Sequence, residues 1–218
     1  MDPITIGNNT ITREYEAKNL GVTFDEELSW IRHINLSIAR GYGKLKQAYR
    51  FKNFLNESAK LNLVLTYILS QLNYGDIILQ NLSLLLENKV QKLQNRCVRF
   101  TFGLRKYEHI SAFIKKKKIL NMKNRRLLHG LILMFKITNK KAPIYLCNRI
   151  HTHTETHNHY TRNCNNINPP FARTKMRSRS FFIAMSKKFN EISKKLNINK
   201  VSLYTFKIKC RKYLLDQQ

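Results

Sequence analysis

The sequence predicts a mainly α protein: a helical bundle with a small N-terminal β-hairpin and a short C-terminal unit of strand and helices. Three observations carry this. Apolar residues recur at three- and four-residue spacing through most of 30–216, the period of an amphipathic helix. Residues 4–24 alternate and turn as extended chain does. Hydrophobic residues make up 43% of the 218 positions, enough to bury a core and too many for a disordered chain. The expected units are a hairpin over 1–28, a helical domain over 29–147, a His- and Asn-rich loop over 148–172, and strand and helices over 173–218.

The elements follow in order. Ile4-Thr5-Ile6 and Thr10-Ile11-Thr12 flank Gly7-Asn8-Asn9, a hairpin signal. Ala17 to Phe24 reads as a third strand, and Asp25-Glu26-Glu27 as a polar turn. A helix opens at Trp30 behind Ser29, a residue type that caps well. Ile31, Ile34, Ile38, Tyr42, Leu45 and Tyr49 form its apolar face, and Gly41 and Gly43 either weaken it or allow a close approach. Asn56 caps a second helix, in which Leu61, Val64, Leu65, Ile68, Leu69 and Leu72 cover a wide arc, so it is placed centrally.

A third helix follows Ser83, with a narrow seam of Leu86, Val90, Leu93 and Cys97. Residues 110–140 form one helix or two, stopped before Pro143 because the residue preceding proline disfavours the α region. Lys175 to Phe182 reads as a short strand. Ala184 to Leu196 is a helix with Met185, Phe189 and Ile192 on one side, and Ser202 caps a last helix with Leu203, Phe206, Cys210 and Leu214 inward.

Charge is the outlier. Forty Lys+Arg against 13 Asp+Glu give a formal +27, a surplus that repels itself unless a polyanion neutralises it. Nucleic acid suits, through phosphate contacts and counterion release. Lys89, Lys92, Arg96 and Arg99 recur at three, four and three, which puts them on one helix face beside the seam. They track a phosphate backbone or form a solvated basic stripe; both readings stand. Arg105, the run Lys115, Lys116, Lys117 and Lys118, and the pair Arg125 and Arg126 complete the candidate set for RNA, RNA–DNA hybrid or DNA. A basic, Lys- and Asn-rich composition inherited from an AT-rich genome is the bland alternative.

Other chemistries find little support. The four aspartates, Asp2, Asp25, Asp76 and Asp216, are scattered, so the paired carboxylates of two-metal nucleotidyl transfer are not expected here. His151, His153, His157 and His159, with Cys147 and Cys164 nearby, are weak metal candidates, because their spacing fits neither a zinc knuckle nor a two-Cys-two-His finger. His33, His109 and His129 read as structural, and no cofactor is expected. The four cysteines make no CxxC pair and read as reduced thiols, Cys97 and Cys210 in the core. No apolar run is long enough for a membrane span and no signal peptide opens the chain, so a nuclear or cytoplasmic, non-secreted protein without membrane contact is expected.

Lys18-Asn19-Leu20-Gly21-Val22-Thr23-Phe24-Asp25, followed by Leu28-Ser29-Trp30 and His33-Ile34, resembles the segment just after the catalytic palm in reverse transcriptases of non-LTR retrotransposons, the jockey-like group especially. Further pieces keep the family's order. Gln94, Asn95, Arg99 and Gly103, with Leu93 directly before them, fall on its L-x-x-x-Q-N-x-x-x-R-x-x-x-G helix and turn, within a stretch from 85 to 107. Leu72-Asn73-Tyr74-Gly75, before that stretch, is similar to the family's L-x-Y-(C/G) helix end, and Phe135-Lys136-Ile137 with Ala142-Pro143 and Tyr145-Leu146, Arg179-Ser180-Phe181, and Phe206-Lys207 are similar to later segments. Phe189-Asn190 stands where the family has W-N, and Phe189-Asn190-Glu191-Ile192-Ser193 replaces its W-N-x-L-P.

The resemblance runs from about residue 11 to the end. It implies that 1–28 is a remnant of the palm edge, that 29–147 is thumb- or connector-like, and that the helices hold template and primer. A full-length reverse transcriptase is a further candidate partner. The resulting expectation is a catalytically empty, nucleic-acid-binding C-terminal segment of such an enzyme. The alternatives are a degenerate remnant with no independent function, or an interaction module whose Leu86–Cys97 seam packs on a partner helix.

Overall fold

The computed structural model describes residues 4–7, 9–11, 13–156, 166–198 and 201–218. It is mainly α, with small antiparallel strand pairs. Strands β1 (Ile4–Ile6) and β2 (Asn9–Ile11) form the N-terminal hairpin. Ile6 pairs with Asn9, so Asn9 belongs to a strand rather than to the turn. The third strand expected from Ala17 to Phe24 is two: β3 (Glu16–Asn19) and β4 (Val22–Asp25). Leu20 and Gly21, at φ 46° and 81°, turn the chain between them. Glycine suits that left-handed backbone, but leucine does not announce it. The Tyr74 hydroxyl donates to the Leu20 carbonyl at 2.6 Å and ties this hairpin to the helices.

Helix α1 (Ile31–Tyr49) starts one residue later than expected, and Ser29 is not its cap. The Ser29 N–H and hydroxyl turn back to the Asp25 carboxylate at 2.7 and 2.5 Å, while Trp30 takes the cap position with a left-handed φ of 63°. The Ser29 hydroxyl, then its N–H, holds the Asp25 carboxyl below the usual range.

His33 is buried and its Nδ1 accepts from the Thr23 N–H at 3.3 Å, which requires that nitrogen unprotonated. Burial first, then the Arg40 charge, lowers the His33 pKa. A depressed folded pKa gives stability that is complete above the free imidazole value of about 6.5 and is lost as pH falls through the folded value. Urea midpoints at neutral and mildly acidic pH should therefore differ more for the native chain than for His33→Gln. Equal differences would contradict this role.

Helix α2 (Glu57–Leu63), capped by the Asn56 side chain, continues through a π-helical turn at Val64–Ile68 into α3 (Ser70–Asn73). Val64, Ile68, Leu69 and Leu72 face the core, but Leu65 faces out, so the arc is narrower than its composition suggests. A 3₁₀ turn (Asp76–Leu79) leads to α4 (Leu84–Phe102), capped by Ser83 and ended by Gly103 at φ 70°. Leu86, Val90, Leu93 and Cys97 lie with Ile34, Leu45 and Ile68 in a first core. The seam is thus filled by the chain's own helices, which removes it as a docking face for a partner.

Gly41 is where α1 and α4 meet: a Cβ there would come within 2.4 Å of Leu93 Cδ2, whereas one on Gly43 meets nothing within 4 Å. Gly41→Ala should cost about 1–3 kcal/mol by overpacking. Gly43→Ala should stabilise by about 0.5–1 kcal/mol through helix propensity. Denaturant titration of the two variants checks the contrast in sign.

Residues 110–140 form two helices, α5 (Ser111–Lys116) and α6 (Met122–Thr138), with α7 (Ile144–Cys147) after Pro143. The 148–172 stretch holds more structure than a loop. Strand β5 (His151–Thr152) runs into α8 (His153–Thr156) and pairs with β6 (Ile167–Asn168). Ile167 is buried, and its N–H and C=O both bond the Asn190 side chain, at 3.0 and 2.8 Å, as they would a neighbouring strand. The strand expected over Lys175 to Phe182 is replaced by α9 (Lys175–Ser178), capped by Thr174, and the start of α10 (Phe181–Leu196). Helix α11 (Leu203–Asp216) follows its Ser202 cap.

Helices α6, α10 and α11 enclose a second core, in which the Phe135 and Phe206 rings stack at 4.3 Å and Phe189 lies beside them. The expected unit 29–147 contributes to both cores, because α6 gives Met122 to the first and Leu131, Met134, Phe135 and Ile137 to the second. Cys97 and Cys210 are buried one in each core, and burial pushes both thiols up to about 12, leaving them protonated and unreactive. Among the described residues no helix is long and apolar enough to cross a membrane.

Candidate nucleic-acid interface

Helices α1 and α4 lie side by side and run in the same direction. Three contacts set their register: Lys89 Nζ donates to Asn35 Oδ1 at 3.1 Å, Gly41 abuts Leu93, and the Tyr49 ring meets the Phe100 ring edge-on at 4.9 Å. Positions three and four apart share a face. The α4 flank along this seam therefore carries Lys89, Lys92 and Arg96, and the facing α1 flank carries Tyr42, Lys46 and Tyr49. All six are exposed, the tyrosines by 40% and 44%. Helix α1 contains no acidic residue, and Glu87, the one acid of α4, is turned away to Arg126. The result is a strip of four cations and two aromatic rings with no carboxylate on either flank.

The candidate residues divide. Lys89, Lys92 and Arg96 share the exposed face as expected. Arg99 does not join them: it is half-buried, and its guanidinium donates to the Asn95 and Glu108 carbonyls at 3.4 and 3.2 Å, clasping the turn after α4. Arg105 is exposed in that turn, where its N–H donates to the Glu108 carboxylate at 3.0 Å.

The lysine run splits in direction. Lys117 pairs with Glu57 at 2.6 Å and lies over the Phe102 ring, Lys116 is exposed, and Lys115 and Lys118 line a groove against α11. Arg125 is half-buried, and Arg126 is buried in an ion pair with Glu87 at 2.9 Å, so the pair does not form a basic surface. Burial lowers both guanidinium pKa values; Arg211 adds to this at Arg125, and Glu87 opposes it at Arg126.

Tyr42, Lys46 and Tyr49 escape a reading by periodicity, because Tyr42 and Tyr49 continue the apolar stripe of α1. The signal lies in Lys46, placed four after Tyr42 and three before Tyr49, where a core stripe tolerates no charge. Arg211 and Lys212 on the groove's far side are likewise missed, being two cations among many in α11.

Among the described residues no three His, Cys, Asp or Glu side chains come together to hold a metal ion. His151 sits in β5 and His153 opens α8; His157, His159 and Cys164 lie outside the described residues. Asp25 closes onto Ser29, and buried Asp76 meets His129 Nδ1 at 2.6 Å. Both carboxylates thus have structural partners. No protein-family model, curated protein or solved structure matches this chain.

Proposed function

We propose that the chain binds nucleic acid along the α1–α4 face, as a helical segment of the kind that follows the palm in non-LTR retrotransposon reverse transcriptases, and that it carries out no polymerase step itself. One observation carries this reading: Lys46, Lys89, Lys92 and Arg96 share with Tyr42 and Tyr49 an exposed strip to which neither α1 nor α4 brings a carboxylate. The cations neutralise phosphates and release counterions, a sequence-independent contribution to affinity. The tyrosine rings offer a stacking platform for unpaired bases. RNA, RNA–DNA hybrid and DNA are the ligands, in nucleus or cytoplasm, and the resemblance of 18–34 and 93–103 to the retrotransposon family supports a template- or primer-holding role.

Titrating the purified chain with single-stranded RNA, an RNA–DNA hybrid and duplex DNA across a salt series tests the reading. The expected result is binding that weakens steeply with salt yet still favours one ligand near physiological ionic strength. Affinity that vanishes equally for all three ligands would make the charge generic and favour a degenerate remnant.

A further inference from the structure

A second surface lies outside that face. Helices α5 and α11 border a groove of about 880 Å³. Its apolar lining is Ile114 from α5 with Ile208 and Leu215 from α11. Lys115 and Lys118 stand on one side, Arg211 and Lys212 on the other, and Asp216 is the one acidic side chain on the lining. Helix α11 is apolar on two sides. Phe206, Cys210 and Leu214 enter the second core, while Tyr204 and Ile208 remain 74% and 50% exposed. Arg211 also donates to the Lys118 carbonyl at 3.1 Å, which ties the two walls together.

We propose that this groove docks an acidic amphipathic helix of a partner protein. Apolar side chains of that helix would rest on Ile114, Ile208 and Leu215, and its flanking carboxylates would meet Lys115, Lys118, Arg211 and Lys212. Charge complementarity selects this occupant. A second copy of this chain would bring another +27 toward the same cationic rim. Among the lining residues a nucleic acid would meet aliphatic side chains and no aromatic ring on which to stack a base; Tyr204, one turn before Ile208, stands outside the lining. Ile208 and Leu215 are two helical turns apart, about 10 Å, which matches anchors at i, i+4 and i+7 of a docked helix.

The test uses the full chain and synthetic labelled peptides read by fluorescence anisotropy near 0.15 M salt, about the physiological ionic strength. One peptide has Leu at helical spacing flanked by Glu. A second keeps Leu but replaces Glu with Gln, and a third keeps Glu but replaces Leu with Ser. The Glu/Leu peptide should bind, and both controls should bind at least about tenfold more weakly, since each lacks one of the two contributions. Ile208→Ser and, separately, Lys212→Glu should weaken the Glu/Leu peptide about tenfold while leaving the thermal midpoint near that of the native chain, because both residues lie on the groove and outside the cores. Equal binding of the Glu/Ser peptide, or unchanged affinity in both variants, overturns the proposal. So does displacement of the peptide by an oligonucleotide in the native chain and in a Lys89→Ala/Lys92→Ala/Arg96→Ala variant alike, which would assign the groove to nucleic acid. This proposal stands independently of the α1–α4 face, and the two surfaces fail separately.

Discussion

Arg126→Met is expected to destabilise the fold by about 3 kcal/mol or more, the usual cost of breaking a buried ion pair from one side. The Arg126 and Glu87 side chains are 5% and 16% exposed and meet at 2.9 Å. Lys123, which also approaches Glu87, is 68% exposed and 3.7 Å away, too distant and too hydrated to replace the guanidinium, and Lys188 acts on Glu87 through its charge, with no salt bridge to it. The lost methylenes count for little, since Met fills much of the same space; the cost is a half-buried carboxylate left without its partner. Replacing both residues, Glu87→Met with Arg126→Met, should recover most of the loss. Denaturant unfolding of the two single variants and the double variant gives the coupling directly. A loss under about 1 kcal/mol in Arg126→Met would mean that this pair does not fasten α6, the helix shared by both cores, to α4.

The triple variant Lys89→Ala/Lys92→Ala/Arg96→Ala should bind single-stranded RNA about a hundredfold more weakly near 0.1 M salt. The magnitude follows from counterion release. Three lost phosphate contacts at about 0.7 counterion each remove roughly two powers of the salt concentration. The fold should be little affected, because exposed substitutions of this kind usually stay within about 0.5 kcal/mol, and the contact forfeited is that of Lys89 with Asn35. Tyr42→Ala separates stacking from charge. It should cost about 1–3 kcal/mol for a single strand and nothing for a duplex, whose bases are already stacked.

Periodicity in the sequence was a sound guide to where helices lie and a poor guide to what their polar residues do. The Leu86, Val90, Leu93 and Cys97 seam is visible because a core face repeats locally. Asn56, Ser83 and Ser202 announce helix starts because each cap bond is made within three residues. Arg99 and Arg126 are different. Their roles depend on Glu108 across a turn and on Glu87 in another helix, partners that no local spacing reveals. The β3–β4 turn hides for a related reason, since Leu20 accepts a left-handed backbone that the Tyr74 hydroxyl, far along the chain, helps to hold. Tyr42 and Tyr49 look like core residues until the register of α1 on α4 places them at its edge.

The decisive measurement is the slope of log affinity against log salt for single-stranded RNA, taken with the native chain and with the Lys89/Lys92/Arg96 triple alanine variant. A slope shallower by about two in the variant means that these three side chains hold phosphates. Parallel lines for the two proteins would contradict the α1–α4 face as the site of binding.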